Sequence, residues 1–583
     1  MNFLKSFLAS CLGSMVAIIL LIFLTIGFLS GLSEEKIVQV ADNSVLHLRL
    51  EAPMTELELD DPLAEVFPEI ADQTVGLLRV RRVIERAKDD PKIEGIYLNT
   101  SMMMTGFASL QEIRAAILDF RESGKWVVAY ADFYSEGAYY LASAADKVYM
   151  YPEGQVEFNG LSTEVMFFKK LFDKLEINPQ IFRVGDFKSA VEPFMRESLS
   201  EENKLQLNSI LKSIHGEMLQ QIAESRHIPL ERLKEIADRM LVQDAASAVK
   251  LGLLDTLYYD DEVKNELRAR LNLGEDDRVP LIRYSQYKKT VTNYSSSKNE
   301  IAVIVADGEI VPGRSDNGLV GSSTVVDLVR RARTNDNVKA IVLRVNSPGG
   351  VFQAADQMWR ELILAAEAKP LIASMGDYAA SGGYYLAMAC DTIVAQPNTI
   401  TGSIGVFSVL FDLSKFLDNK IGITSEEVKT GDIGELVTVT RKLTEAESAF
   451  WQRQTDNIYE TFTRKAAESR RMSQADLKKI ASGRVWTGTQ AKENGLADVL
   501  GGFEDAVRIA ADRAGVGDDY KLRYYPQPKP FLERLMGNVE EEVSQSMLKR
   551  ELGIEHYQWH RQWERLKNYQ GTQARMPLQF QVK

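Results

Sequence analysis

Short runs of β-branched residues alternate with helical stretches along this chain. Ser44-Val45-Leu46-His47-Leu48-Arg49-Leu50 places apolar side chains at every second position, the pattern of a half-buried strand. Ile301-Ala302-Val303-Ile304-Val305 opens a second series, followed by the runs Ala340 to Val345 and Leu371 to Met375. A helical pattern over 354–366 separates those two runs. Strands that alternate with helices in this way predict parallel sheets with crossover helices, an α/β fold.

The two series are copies of one another. Gly137-Ala138-Tyr139-Tyr140-Leu141-Ala142 recurs as Gly382-Gly383-Tyr384-Tyr385-Leu386-Ala387, an offset of 384 − 139 = 245. The same offset aligns Ile93 with Val338, Asp146 with Asp391, Pro152 with Pro397 and Gly160 with Gly405. Further on, Leu199-Ser200-Glu201-Glu202 matches Leu443-Thr444-Glu445-Ala446, and Gly252-Leu253-Leu254-Asp255 matches Gly495-Leu496-Ala497-Asp498. Each copy therefore carries a C-terminal helical arm. A period this long marks a duplicated domain, not a solenoid of small units.

The resulting division has an N-terminal segment over 1–36, a first repeat over 37–291, a polar linker over 292–298, a second repeat over 299–525 and a tail over 526–583. The tail has no counterpart in the repeats, and Phe531 to Leu566 reads as one or two charged amphipathic helices.

No charged side chain occurs from Phe7 to Leu32. A bilayer core of about 30 Å needs about 20 such residues in a helix, so a transmembrane anchor is expected. The stretch exceeds the roughly 7 to 15 apolar residues of a cleavable signal, and Ser30-Gly31-Leu32-Ser33 is only a weak cleavage site. Leu8-Ala9-Ser10-Cys11 looks like a lipoprotein box, but the apolar run lies mostly after Cys11 instead of before it. Lys5 favours a cytoplasmic N-terminus, with the remainder on the far side of the membrane. A net charge of −13 argues against a nucleic-acid surface, and two cysteines, Cys11 and Cys390, make no disulfide framework.

The copies differ where chemistry is expected. Ser381, in Ala379-Ala380-Ser381-Gly382-Gly383, faces Glu136 of the first copy, and Gly349-Gly350 faces Met104-Thr105. Ser381 follows a strand pattern and precedes a helical one, where free amides and the helix dipole favour developing negative charge. Gly349, Gly350 and Gly382 are candidate oxyanion donors. The plainer reading is a tight turn with a capping serine.

None of the five histidines lies in the second copy, so a Ser-His pair within that repeat is excluded. A lysine can replace histidine as the base if it is neutral, and lowering its pKa by about 3 units costs about 4 kcal/mol. Lys188, in Gly185-Asp186-Phe187-Lys188-Ser189-Ala190, is the candidate, and its counterpart in the second copy is Gly434. Serine and glycines survive in one half and lysine in the other, which points to a composite site between the repeats. The alternative for Lys188 is an exposed loop lysine. Ser403, in Thr401-Gly402-Ser403-Ile404-Gly405, is a candidate partner for the lysine amine or a turn-stabilising serine.

Together these motifs resemble the signal peptide peptidase A family in its long, duplicated, membrane-anchored bacterial form. The resemblance implies tandem Clp protease/crotonase-like domains and a Ser-Lys endopeptidase. By it Ser381 is the nucleophile, Lys188 the general base, Ser403 the residue positioning the amine, and the glycine turns the oxyanion hole. It further implies no cofactor or metal, cleaved signal peptides as substrates, and a homotetramer. The expected location is the bacterial inner membrane, with the catalytic part on the periplasmic side. The competing readings are an acyl-CoA enzyme of the crotonase type and a non-catalytic membrane scaffold.

Overall fold

The computed structural model describes residues 13–17, 20, 38–58, 74–291, 296–315, 318–527 and 571–576. The expected anchor from Phe7 to Leu32, linker residues 292–295 and the expected tail helices lie wholly or largely outside the described residues. No helix among the described residues is long and apolar enough to cross a membrane.

The first repeat forms a six-stranded parallel sheet in the order Thr256–Leu257, Lys147–Val156, Trp126–Tyr134, Ile93–Leu98, Ser44–Leu48, Leu281–Arg283. The second repeat builds the same order from Val499–Leu500, Thr392–Ala395, Leu371–Ala380, Val338–Ser347, Glu300–Asp307 and Lys521–Tyr525. Each strand occupies the place of its copy, so the duplication read in the residues is also a duplication of topology. Ile301 to Ala306 and Ala340 to Val345 are buried on both faces, as parallel strands sandwiched between helices must be. Each arm is a 26-residue helix, Glu201–Arg226 and Glu445–Arg470, capped by Ser200 and Thr444.

The repeats are joined through buried charge. Arg344, on the central strand of the second sheet, donates to Glu56 at 2.8 and 3.1 Å and to Glu112 at 2.7 Å, both from the first repeat. Asp377 accepts from the Ser109 amide at 2.8 Å, the Ser109 hydroxyl at 2.7 Å and the Gly106 amide at 3.2 Å. Removing water from these groups is costly unless every charge is matched, so the seam tolerates one relative placement of the halves. That placement carries Leu371–Ala380, the strand ending at Ser381, against the first repeat.

A third sheet crosses the boundary in the order Leu319–Gly321, Glu309–Val311, Gly349–Val351, Gly571–Arg575, Val406–Asp412, Asn178–Val184. Its last member comes from the first repeat and its fourth from the tail. Gly571–Arg575 is thus a strand in the tail, beyond the segment from Phe531 to Leu566 read from sequence as helical. Its conformation is set by the two strand edges that flank it, which no local periodicity encodes.

Candidate active site

Ser381 joins the strand Leu371–Ala380 to the helix Gly382–Ala387 with φ 55° and ψ −111°. A side-chain-bearing residue in that region costs about 1–3 kcal/mol and persists only where its surroundings enforce it. Here the Ser381 amide donates to the Gly402 carbonyl at 2.8 Å, and the Tyr385 amide donates to the Ser381 carbonyl at 2.8 Å. The consequence is chemical: the Ser381 side chain makes no capping bond to its own helix.

Instead Ser381 Oγ lies 2.9 Å from Lys188 Nζ, across 193 positions of sequence. The same amine is 3.0 Å from Ser403 Oγ and 3.1 Å from the Ser403 carbonyl oxygen. Lys188, Ser381 and Ser403 are all fully buried. Burial alone pushes the Lys188 pKa well below the usual lysine value, because the ammonium form loses its hydration. No carboxylate among the described residues pairs with it, so nothing restores the charged form. A neutral amine has two N–H donors and one lone pair. Ser403 accepts the donors, and the lone pair is left for the Ser381 hydroxyl proton.

The lysine loop is clamped from both repeats. The Phe187 amide donates to the Ser482 carbonyl at 3.1 Å, and the Arg484 guanidinium stacks between Phe187 and Trp486 at 5.0 and 4.0 Å from their ring centres. Gln206 donates to Ser189 Oγ at 2.8 Å and accepts from the Val485 amide at 3.3 Å. Gly483, at φ 79°, passes so close that a Cβ there would sit 2.7 Å from the Lys188 amide nitrogen. Sequence reading did not single out Gly483. The signal was available, because the arm offset of 495 − 252 = 243 sets Gly483 against Met240. Met240 also has positive φ, 49°, but carries a side chain.

The glycine turns meet in front of the serine. Gly349, at φ 97°, directs its amide to Ser347 Oγ at 3.2 Å. A Cβ on Gly382 would lie 3.1 Å from Gly349 Cα and 3.2 Å from the Gly350 nitrogen, so the two turns are in contact. The amides of Gly350 and Gly382 are therefore neighbours at the start of a helix whose dipole favours negative charge. Among the described residues no group of three or more His, Cys, Asp or Glu side chains could hold a metal ion.

Comparison with known proteins places this arrangement. Peptidase family S49 matches residues 119–274 and 364–517, one segment in each repeat. Protease 4 of Haemophilus influenzae is 34% identical over 509 residues, covering 84% of this chain and 82% of that protein. Protease 4 of Salmonella typhi is 36% identical over 478 residues, covering 80% and 76%. The chloroplastic serine protease SPPA of Arabidopsis thaliana is 35% identical over 453 residues, covering 76% and 67%. Neither the acyl-CoA reading nor the inert-scaffold reading accounts for these matches. The chain belongs to peptidase family S49 and is a serine protease with duplicated α/β domains.

Proposed function

We propose that Ser381 is the nucleophile and Lys188 the general base of an endopeptidase that degrades cleaved signal peptides. The observation that carries this reading is a neutral-leaning, fully buried amine 2.9 Å from a serine hydroxyl that caps nothing. Lys188 takes the Ser381 proton as Oγ attacks the peptide carbonyl, and the oxyanion forms against the Gly350 and Gly382 amides beside Gly349. The lysine next protonates the leaving amine and then activates the water that hydrolyses the acyl-enzyme. Ser403 holds the amine so that its lone pair stays on the reaction path. The substrate assignment rests on a relative in Enterococcus faecium, named a putative signal peptide peptidase, 31% identical over 211 residues.

The apolar segment from Phe7 to Leu32 supports anchoring in the inner membrane with the catalytic part outside the cytoplasm. Assembly with further copies of this chain, as a homotetramer, is supported by the exposed Ile421, Ile423, Val428 and Ile433, apolar surface that a second copy would cover. The decisive experiment is fluorophosphonate labelling with peptide hydrolysis for wild type, Ser381→Ala and Lys188→Met. Labelling and hydrolysis are both expected only in the wild type. Substantial hydrolysis by either variant would remove the dyad.

A further inference from the structure

The first arm helix, Glu201–Arg226, carries a polar stripe of Asn203, Gln206, Ser209 and Ser213 at helical spacing. Its later members dock on the second repeat: Gln490 Nε2 donates to Ser209 Oγ at 2.9 Å, and Ser213 Oγ lies 2.8 Å from Thr487 Oγ1. Asn203 and Gln206, both buried, reach the lysine loop. Gln206 grips that loop on either side of Lys188. Its Nε2 donates to the Phe187 carbonyl at 3.3 Å and to Ser189 Oγ at 2.8 Å. Its Oε1 accepts from the Val485 amide at 3.3 Å. Val485 begins a strand, Val485–Thr487, and pairs there with Gly402. The Gly402 carbonyl accepts from the Ser381 amide at 2.8 Å, and the Arg484 carbonyl accepts from the Ser403 amide at 2.7 Å. One carboxamide thus spans from the residues flanking the base to the backbone that fixes Ser381 and Ser403.

Asn203 and Glu192 orient that carboxamide. Glu192 accepts from Asn203 Nδ2 at 2.9 Å and is itself held by the Ser200 amide and hydroxyl. A carboxylate offers only acceptors, so Asn203 must turn its oxygen the other way. That oxygen accepts from Ser189 Oγ at 3.0 Å and from Gln206 Nε2 at 2.9 Å, which leaves the Gln206 oxygen for Val485. A buried network whose members all find partners stiffens what it touches. The second arm is built otherwise. At the offset of 444 − 200 = 244, Phe450 stands in the place of Gln206 and Glu447 in that of Asn203. Glu447 closes the cap on Thr444 and pairs with Arg441. The polar network occurs in the half that carries the lysine.

We propose that Gln206, oriented by Asn203 and Glu192, is a positioning residue for peptide hydrolysis, holding the Lys188 loop in register with Ser381 and Ser403. The role rests on the Ser381 and Lys188 assignments made above. Gln206 touches neither reacting atom and acts through the backbone on both sides of the base. A misplacement of about 1 Å between reacting groups can cost about 10²-fold in rate. A loosened loop also admits water to the amine. Hydration favours the ammonium form, so a higher pH is then needed to make the base neutral.

The test measures kcat, KM and the pH profile of kcat/KM on an internally quenched apolar peptide, with the full chain in detergent. Wild type is compared with Gln206→Met, Asn203→Ala, Ile222→Ala and Lys188→Met. Methionine keeps the bulk of Gln206 and removes its hydrogen bonds. Gln206→Met is expected to lower kcat by about 10²-fold with KM little changed, and to move the kcat/KM midpoint to higher pH. Asn203→Ala should act in the same direction by about tenfold, and it carries the test if Gln206→Met does not fold. Ile222 is fully buried in the first-repeat core near the far end of the same helix. Ile222→Ala loosens the arm without touching the lysine loop and should keep the wild-type midpoint. Wild-type kcat and midpoint in the folded network variants, or a change confined to KM, overturn the proposal. So does an equal midpoint shift in Ile222→Ala, which makes the effect one of arm stability. An active Lys188→Met removes the dyad and the positioning role with it. An inactive Lys188→Met beside network variants of wild-type kinetics overturns the positioning role alone.

Discussion

Ser135 and Ser381 stand before corresponding helices in the two repeats, yet only the first of them caps. Ser135, at φ −66°, accepts from the Ala138 amide at 3.3 Å, an ordinary helix start. Ser381, at φ 55°, makes no such bond and turns its hydroxyl to Lys188. Glu136 fills the place aligned with Ser381 in the first copy, where burial pushes its pKa up to about 7 and the Gly160 amide donates to it at 3.2 Å. Gly405, the copy of Gly160, turns its carbonyl toward Ser381 Oγ at 3.5 Å. One backbone plan thus serves as a structural joint in one half and as a strained elbow in the other. The difference is a single residue's dihedral angles and the lysine they face.

The strongest way to break that comparison is to remove the hydroxyl. Ser381→Ala is expected to lower kcat by about 10⁴-fold or more, as loss of a nucleophile does. Next comes the seam that sets the halves together. Arg344→Met leaves Glu56 buried without its cation and Glu112 with Arg81 alone, and should cost about 3–5 kcal/mol in urea unfolding. Adding Glu56→Gln and Glu112→Gln should recover part of that loss, which an effect of altered packing alone would not allow. Ser403→Ala should reduce kcat by about 10²-fold with KM little changed, since it acts on the base and not on the peptide.

Lys188→Met sharpens the contrast by separating stability from activity. The wild-type amine is neutral when folded and charged when unfolded, so the unfolded chain binds the extra proton. Between the lowered folded pKa and the ordinary value of 10.5, wild-type stability therefore rises with pH. Methionine carries no such proton, and its thermal advantage over the wild type should grow by about 1.4 kcal/mol per pH unit as pH falls through that window. In the wild type, kcat/KM should rise with pH through a midpoint well below 10.5, because only the deprotonated amine accepts the serine proton. The smallest effect is expected in the first repeat. Ser135→Ala loses a cap worth about 1 kcal/mol in chemical denaturation and leaves kcat unchanged.

Much of the architecture was legible because duplication and periodicity are written locally. The spacing of Tyr139-Tyr140 and Tyr384-Tyr385 sets the register in which the two sheets correspond strand by strand. The candidate residues Lys188, Ser381 and Ser403 were named by asking what each half lacked. Gly483 escaped because its requirement is a close approach by a segment nearly 300 positions away. The tail strand escaped for the same kind of reason: Gly571 to Arg575 carries no alternation of its own and takes its conformation from the edges beside it.

The amino-acid sequence by itself determined two copies of an α/β unit, the loss of serine and glycines from one and of lysine from the other, and an apolar N-terminal segment. Tertiary structure alone decided the left-handed φ of Ser381, the 2.9 Å between Lys188 and Ser381, and the slot that the tail occupies. Local patterns encode which face of a strand or helix is buried. The meeting of groups 193 positions apart depends on how two cores close over buried charge, a property of the packed whole.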